Sequence, residues 1–308
     1  MKILIIGYGS IGKRHHEVLL SLEDITSIDI VTKQTLKEQT CFASLDAIKN
    51  LNIYDYFIVA SETVKHYEQL HYICSKVDNK KILVEKPLFD KNYASFECNN
   101  QIFTAYNLRF HPIVKELKIL LQNEKIYYAN IMAGQYLPTW RPEQDYTKSY
   151  SADLAQGGGV LRDLSHELDY MHWLFGDISI IKAISTKISD LEINSDDIFT
   201  ALCKSKTGAI INVTMDYISK APLRRILIHT QEKTITADFV LNTIEVYNKQ
   251  GTKSSIELPD IDRNHTYTNM HHAIINDELS SLTTFSEGKR IVDIIDHITL
   301  EDLQDETI

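Results

Sequence analysis

The 308-residue sequence has no run of Lys and Arg, no C-x-x-C pair, no apolar stretch long enough to span a membrane, no internal repeat and no low-complexity tract. Each absence removes a class of function. With 32 basic against 42 acidic side chains and a formal net charge of -10, the chain repels a polyphosphate backbone, so nucleic acid is not an expected partner. The four cysteines, Cys41, Cys74, Cys98 and Cys203, stand far apart without zinc-ligand spacing and are read as buried, reduced thiols. Met1 to Ile6 is basic and then apolar, but the apolar part runs straight into Gly7 and is too short for a signal peptide or a span. The expected compartment is the cytoplasm, with no membrane contact. The pairs His15-His16 and His271-His272 lack companion Cys or acidic ligands, and His166-Glu167 lacks the second histidine of H-E-x-x-H because position 170 is Tyr170. No metal site is expected, and the paired histidines are read as capping, packing or surface residues.

What is present is an ordinary globular composition, 44% hydrophobic and 24% charged, at a length that favours two domains. Lys2 to Ile6 is a continuous apolar run of the kind a fully buried parallel strand shows. Ile11, His15, Val18, Leu19 and Leu22 then recur at helical spacing, and Ser27 to Val31, Tyr56 to Ala60 and Lys81 to Val84 are further strands, with a helix over Val64 to Val77. Ile102 to Leu108 reads as the last strand of this alternation and Pro112 as the start of a helix ending at Leu121. Strand-like segments follow at Ile126 to Gln135, Ser179 to Ile188, Ile198 to Lys204, Ala209 to Tyr217, Arg225 to Thr230, Thr234 to Phe239 and Thr243 to Tyr247. Helices near Thr268 to Leu282 and Glu287 to Leu300 precede an acidic tail, Glu301 to Glu306. The expected fold class is α/β plus α+β. A doubly wound Rossmann domain with a parallel sheet (1–105) is followed by an open-faced, mainly antiparallel domain (106–308) for substrate binding and oligomerisation.

The turn after the first strand reads Gly7-Tyr8-Gly9-Ser10-Ile11-Gly12. Gly7 permits a tight turn, Gly9 a close approach of backbone to a pyrophosphate, and Gly12 close packing of helix on strand, while the first helical N–H groups of Ser10 and Ile11 face the phosphates. The acid expected some twenty residues on is missing: the second strand ends at Val31-Thr32-Lys33, and Asp29 lies inside it. A hydroxyl at Thr32 and an ammonium at Lys33 suit an adenosine 2′-phosphate, so the coenzyme is NAD or NADP with a lean to NADP. The bland reading makes Lys33 a solvated surface charge.

At Val84-Glu85-Lys86-Pro87-Leu88 the chain resembles the family named for glucose-fructose oxidoreductase and inositol 2-dehydrogenase (Gfo/Idh/MocA). The likeness includes Arg14-His15, the strand end Ala60-Ser61 with His66 behind it, and Gly157-Gly158-Gly159-Val160-Leu161-Arg162-Asp163-Leu164-Ser165-His166-Glu167-Leu168-Asp169. It implies a Rossmann domain, a second domain with an open antiparallel sheet and an active site between them. It also implies that Ala60, Ser61, His66, Glu85 and Lys86 lie along the coenzyme, and that Lys86, Asp163 and His166 are catalytic. An alcohol releases hydride only as its proton leaves, and the imidazole of His166 has a suitable intrinsic pKa for a base. Asp163, three residues earlier, would share a helical face with His166 and orient it, and Lys86 would stabilise an alkoxide or relay the proton.

Two further segments, Tyr106-Asn107-Leu108-Arg109-Phe110-His111-Pro112 and Gly134-Gln135-Tyr136-Leu137-Pro138-Thr139-Trp140-Arg141-Pro142, resemble a subgroup associated with surface polysaccharides and unusual sugars. Asn107, Arg109, Tyr136, Trp140 and Arg141 are the expected substrate contacts, with the Thr139 to Ala155 loop as a lid. The competing reading makes Trp140 and Tyr136 packing residues and Arg109 a surface ion pair. The expected activity is interconversion of a secondary alcohol and a ketone on a sugar or nucleotide sugar by a homodimer or homotetramer. Its rivals are a glycosidase that oxidises its sugar transiently on held NAD and a non-catalytic dinucleotide sensor.

Overall fold

The computed structural model describes residues 1–37 and 39–301, so the tail read beyond Glu301 lies outside the described residues. Strands β1 (Lys2–Ile6), β2 (Ser27–Val31), β3 (Cys41–Phe42), β4 (Tyr56–Val59), β5 (Lys81–Val84) and β6 (Gln101–Thr104) come first, with helices α1 (Ser10–Leu20) and α2 (His66–Cys74) among them. Next come α3 (Pro112–Leu120), β7 (Ile126–Gly134), two single turns α4 (Leu137–Trp140) and α5 (Val160–Asp163), and α6 (His166–Phe175). Strands β8 (Ile178–Thr186), β9 (Ile198–Ser205), β10 (Ile210–Asp216), β11 (Leu223–Thr230), β12 (Lys233–Asp238), β13 (Thr243–Asn248) and β14 (Lys253–Glu257) follow. The elements α7 (His265–Ile275), β15 (Thr283–Thr284) and α8 (Phe285–Glu301) come last. Among the described residues no helix is long and apolar enough to cross a membrane.

The chain forms two compact units. Among the described residues, Met1–Phe110 and Asp262–Asp293 make the first, and His111–Ile261 with 294–301 make the second. The sequence reading cut the chain once, at 105/106. The structure instead cuts at 110/111 and returns Asp262–Asp293 to the first unit, because that segment completes a core. Ile3 and Ile5 of β1 lie in one buried cluster and Leu4 and Ile6 in another, so both faces of the sheet are covered, as a continuous apolar strand requires. Leu70 and Ile73 of α2 cover one face, whereas Met270, Ala273 and Ile274 of α7 join Leu19 of α1 on the other.

The first sheet has the order β15-β6-β5-β4-β1-β2-β3, parallel except for β15. This is the doubly wound arrangement, in which ligands bind beyond the carboxyl ends of the strands at the point where the order reverses. Strand β6 stops at Thr104, short of the expected Leu108, and the chain turns through a 3-10 segment at Asn107–Phe110. The cysteine reading is corrected at two positions. Cys74 at the end of α2 and Cys98 form a disulfide with Cα atoms 5.4 Å apart, while Cys41 is half-buried and free, and the free Cys203 is buried, which pushes its thiol up to about 11.

The second sheet has the order β14-β13-β12-β11-β7-β10-β9-β8, antiparallel except for β7 beside β10. Strict alternation places Phe199, Ala201, Cys203, Ile211, Val213 and Met215 on the buried face and Thr200, Asn212 and Thr214 on the other. On α6, Glu167 is wholly buried and its Oε1 lies 2.8 Å from Nε of Arg224 on β11. Replacing Arg224 by Met leaves that carboxylate without its guanidinium, and thermal unfolding should show a loss of about 3 kcal/mol, largely recovered when Glu167→Gln is added. A loss below about 1 kcal/mol would show the pair to be dispensable.

Candidate active site

The turn after β1 is built by close approach. Gly7 has φ +97°, and a Cβ there would lie 2.6 Å from the Ala60 carbonyl oxygen and the Ser61 nitrogen. A Cβ on Gly12 would collide with the Gly7 carbonyl. Gly9 differs: a Cβ there meets nothing within 4 Å, and the residue is exposed. It is the N-cap of α1, supplies no side-chain cap, and no acid occupies the first turn of the helix. Unpaired N–H groups and a positive dipole end therefore face open space at Gly9 and Ser10, which fits the pyrophosphate of a dinucleotide. Ile11 packs its side chain into the core below.

The neighbouring loops are tied to this turn. Ala60 N–H donates to Ile6 O at 2.8 Å, and Ser61 Oγ donates to Gln69 Oε1 at 2.7 Å. The Gln34 side chain reaches the Tyr8 carbonyl at 2.9 Å, and Thr32 Oγ1 accepts from Gln34 N–H at 3.1 Å. Lys33 is exposed nearby. A hydrogen bond from Lys65, with smaller contributions that include Lys33, holds Glu62 below the usual carboxylate range. Asp29 is buried, accepting from Tyr54 Oη at 2.6 Å with Lys2 Nζ at 3.1 Å, so it takes no place at the ribose.

Several expected contacts face inward instead. His66 is buried, with Nε2 3.1 Å from Ser61 O and Nδ1 3.2 Å from the carbonyls of Pro87 and Leu88. It straps the loop after β4 to the loop after β5. Arg109 is 2% exposed, 3.1 Å from Glu287 and within reach of the Leu282 carbonyl. An interior ion pair thus replaces the expected substrate contact, because β6 ends early and the 3-10 turn swings this side chain onto the returning segment. Asn107 is buried likewise and donates to Thr266 Oγ1 at 2.6 Å. Lys86 is half-buried, follows β5 directly and precedes Pro87 through a cis peptide bond. The Glu85 carboxylate accepts the Lys86 main-chain N–H at 3.0 Å.

In the second unit Asp163 is buried and its carboxylate accepts from three hydroxyls: Tyr150 on Oδ1, and Ser151 and Tyr217 on Oδ2, the last two at 2.6 Å each. Burial, then the Asp163 charge, pushes both tyrosines well above their ordinary range, so they remain protonated donors. The helical premise for pairing Asp163 with His166 is corrected, because α5 ends at Asp163 and α6 begins at His166, with Leu164 and Ser165 breaking the helix between them. Gly159 sets this turn. It has φ +114°, and a Cβ there would collide with the Asp196 carboxylate, which accepts the Leu161 N–H at 2.9 Å. Trp140 stands edge-on to Tyr217 with centroids 5.1 Å apart and donates to Gln135 O. Tyr136 lies under Lys220, whose Nζ is 3.2 Å from the ring centroid, and Arg141 is exposed. Tyr150, Ser151 and Tyr217 were not singled out in the sequence as Asp163 partners; only the Tyr-rich lid reading touched Tyr150.

The family model described as "Oxidoreductase family, NAD-binding Rossmann fold" matches residues 1–110, and that described as "GFO/IDH/MocA C-terminal domain" matches residues 116–236. The chain belongs to the Gfo/Idh/MocA oxidoreductase family. An uncharacterized oxidoreductase of Synechocystis is 23% identical over 231 residues, 70% of this chain and 62% of that protein. The chain thus spans about three fifths of the length of that curated relative. Two solved structures share the fold at 16% identity. Levoglucosan dehydrogenase in complex with NADH has a TM-score of 0.83, covering 99% of this chain and 97% of its own. UDP-N-acetylglucosamine 3-dehydrogenase from Acidithiobacillus ferrooxidans has 0.75, covering 97% of each. The Gfo/Idh/MocA fold accounts for the Rossmann order of the first sheet and for the second, mainly antiparallel one.

Of the capping, packing and surface readings, His15 and His271 take the packing one: both are wholly buried in the first unit, and burial followed by the neighbouring His15 holds His271 well below its ordinary pKa of 6.5. His271 is therefore neutral when folded, while the unfolded chain takes up its proton below about pH 6.5. Stability should fall as pH drops through that value, by up to ~1.4 kcal/mol per pH unit from this group. Chemical denaturation followed from pH 7.5 to 5.5 should show a shallower slope in His271→Gln. An identical slope would mean that this ring does not titrate on unfolding.

Proposed function

We propose that the protein is an NAD(P)-dependent dehydrogenase or reductase that interconverts a secondary alcohol and a ketone on a sugar or nucleotide sugar, in surface-polysaccharide or unusual-sugar metabolism. The observation that carries this is the open, uncapped helix start at Gly9 in the unit that also holds Lys86 behind β5. Support for the substrate class comes from the second unit, where Trp140, Tyr217, Tyr150 and Asp163 join aromatic faces to hydroxyl and carboxylate groups, a combination suited to sugar C–H and O–H surfaces. Levoglucosan dehydrogenase and UDP-N-acetylglucosamine 3-dehydrogenase, which share the fold, act on the sugars their names state.

A bound nicotinamide supplies the hydride acceptor or donor. The chain's own residues handle the rest. Gly9, Ser10 and Ile11 offer main-chain N–H groups to the pyrophosphate. Thr32 and the exposed Lys33 meet the adenosine ribose, where the cation favours a 2′-phosphate and hence NADP. His166 takes the substrate hydroxyl proton, Lys86 steadies the oxygen that loses it, and Asp163 holds Tyr150 and Tyr217 toward the ligand. Tyr136, Trp140 and Arg141 contact the sugar. A second copy of the chain covers the open face of the second sheet, where Ile184 is 49% and Leu202 39% exposed.

The test is a screen of sugars and nucleotide sugars with NAD and NADP, reading absorbance of the reduced nicotinamide. His166→Ala should lower kcat at least about a hundredfold with coenzyme affinity unchanged. Near-normal turnover of that variant contradicts the assignment, tighter binding of NAD contradicts the coenzyme preference, and free sugar released without net reduced coenzyme supports the glycosidase instead.

A further inference from the structure

Four buried side chains of the first unit stand in single file. The Glu85 carboxylate Oε1 lies 2.8 Å from His15 Nε2, His15 Nδ1 lies 2.8 Å from His271 Nε2, and His271 Nδ1 lies 3.0 Å from Tyr56 Oη. They come from the end of β5, from α1, from α7 and from β4. His15, His271 and Tyr56 have no solvent exposure, and the two imidazoles meet edge to face with centroids 5.0 Å apart. Tyr267 also lies edge-on to His15, with the Arg14 guanidinium over the Tyr267 ring. None of His15, His271 and Tyr56 is used by the coenzyme reading.

Proton counting sets the direction of the file. Each neutral imidazole carries one N–H and one bare nitrogen. Glu85 Oε2 already accepts the Lys86 main-chain N–H, and Oε1 accepts from His15, which places the His15 proton on Nε2. With a neutral His15 its Nδ1 is bare and accepts, and His271 then carries its proton on Nε2. The bare Nδ1 of His271 accepts in turn from the Tyr56 hydroxyl, which burial and then the Glu85 charge hold well above the ordinary tyrosine range and therefore protonated. Every donor has an acceptor, as a buried polar chain needs.

We propose that His15, His271 and Tyr56 are positioning residues for Lys86: the file Tyr56 to His271 to His15 to Glu85 aims each proton at one carboxylate, and that carboxylate grips the main-chain nitrogen of Lys86. This inference rests on the reading of Lys86 as the group that steadies the substrate oxygen. It makes the loop after β5 answer to α7, since His15 and His271 are 256 residues apart in sequence. Without the His271 donor, His15 can turn over or fill its bare nitrogen from elsewhere, and the hold on Glu85 loosens.

The experiment uses the full chain. Nitrogen-15 spectra of the imidazoles should show His15 and His271 both as neutral Nε2–H tautomers at neutral pH; a His15 protonated on both nitrogens or a His271 protonated on Nδ1 overturns the file. His271→Leu removes the donor to His15, whereas the amide of His271→Gln can replace it. Hydrogen exchange at the Lys86 amide should quicken about tenfold in the Leu variant and return toward wild type in the Gln variant. Turnover should follow, with kcat down about tenfold in His271→Leu and the coenzyme KM within about twofold. Tyr56→Phe, which keeps the ring, should give about a threefold effect on exchange should the Leu variant not fold. Unchanged exchange, or equal loss with Leu and Gln, reduces the file to packing. Correct tautomers and the exchange response in a protein that turns over no sugar would defeat the dehydrogenase reading alone and leave the positioning of Lys86 standing.

Discussion

The contact between the Gly7 turn and the start of the loop at Ala60-Ser61 constrains everything around it. Two main chains meet there at a separation that leaves no room for a Cβ on Gly7, and Gly12 closes onto Gly7 from the other side. That closeness draws α1 down on the sheet and leaves its first N–H groups pointing away from the protein at Gly9. A buried helix start would need a cap; this one is exposed and uncapped, which leaves its N–H groups open to an anion. Placement follows from the sheet order, since the reversal beside β1 puts the turn at the carboxyl ends of the strands, with Lys86 leaving the end of β5 on the same edge.

A second theme is the way charge and polarity are buried. Glu85, Asp163, Glu167 and Arg109 are all interior, and each is met by specific partners, among them N–H groups on Glu85, hydroxyls on Asp163, the Arg224 guanidinium on Glu167 and the Glu287 carboxylate on Arg109. Isolated burial of any of them would cost several kcal/mol. Their partners come from distant parts of the sequence, so each polar knot also specifies how elements assemble. Arg109 with Glu287 and Asn107 with Thr266 dock the returning segment on the first unit, and Tyr150 and Tyr217 fold two loops onto the α5 turn.

Local signals reached part of this. The unbroken apolar run Lys2 to Ile6 announced a strand buried on both faces, and the strand-like composition of Ile198 to Lys204 and Ala209 to Tyr217 announced strands of the second sheet, because such residues fit a half-buried pleated surface. The glycine turn was legible too, as each glycine marks a steric demand. Two-residue strands such as β3 and β15 are too short to carry a period. The break at Leu164-Ser165 was invisible, since D-L-S-H carries no residue that interrupts a helical pattern. Nothing in the sequence chose among capping, packing and surface for His271, because its partners, His15 and Tyr56, are brought to it only by the return of α7. Cys74 and Cys98, separated by 24 residues, likewise carry no motif that marks them as a pair.

Gly9 offers the most direct test of the coenzyme site, because it is the one glycine of the turn with room for a side chain. A valine there meets no protein atom close to its Cβ and has an ordinary extended backbone, φ -74° and ψ -164°, so the fold should be kept with only the cost of a poorer N-cap, about 1 kcal/mol. The branched methyls would occupy the space assigned to the pyrophosphate. Calorimetric titration of Gly9→Val with NADH and NADPH should show at least a tenfold loss of affinity for the preferred coenzyme relative to wild type, about 1.4 kcal/mol, with the melting temperature lowered by no more than about 4 °C. Wild-type affinity in that variant would place the dinucleotide elsewhere and contradict the account.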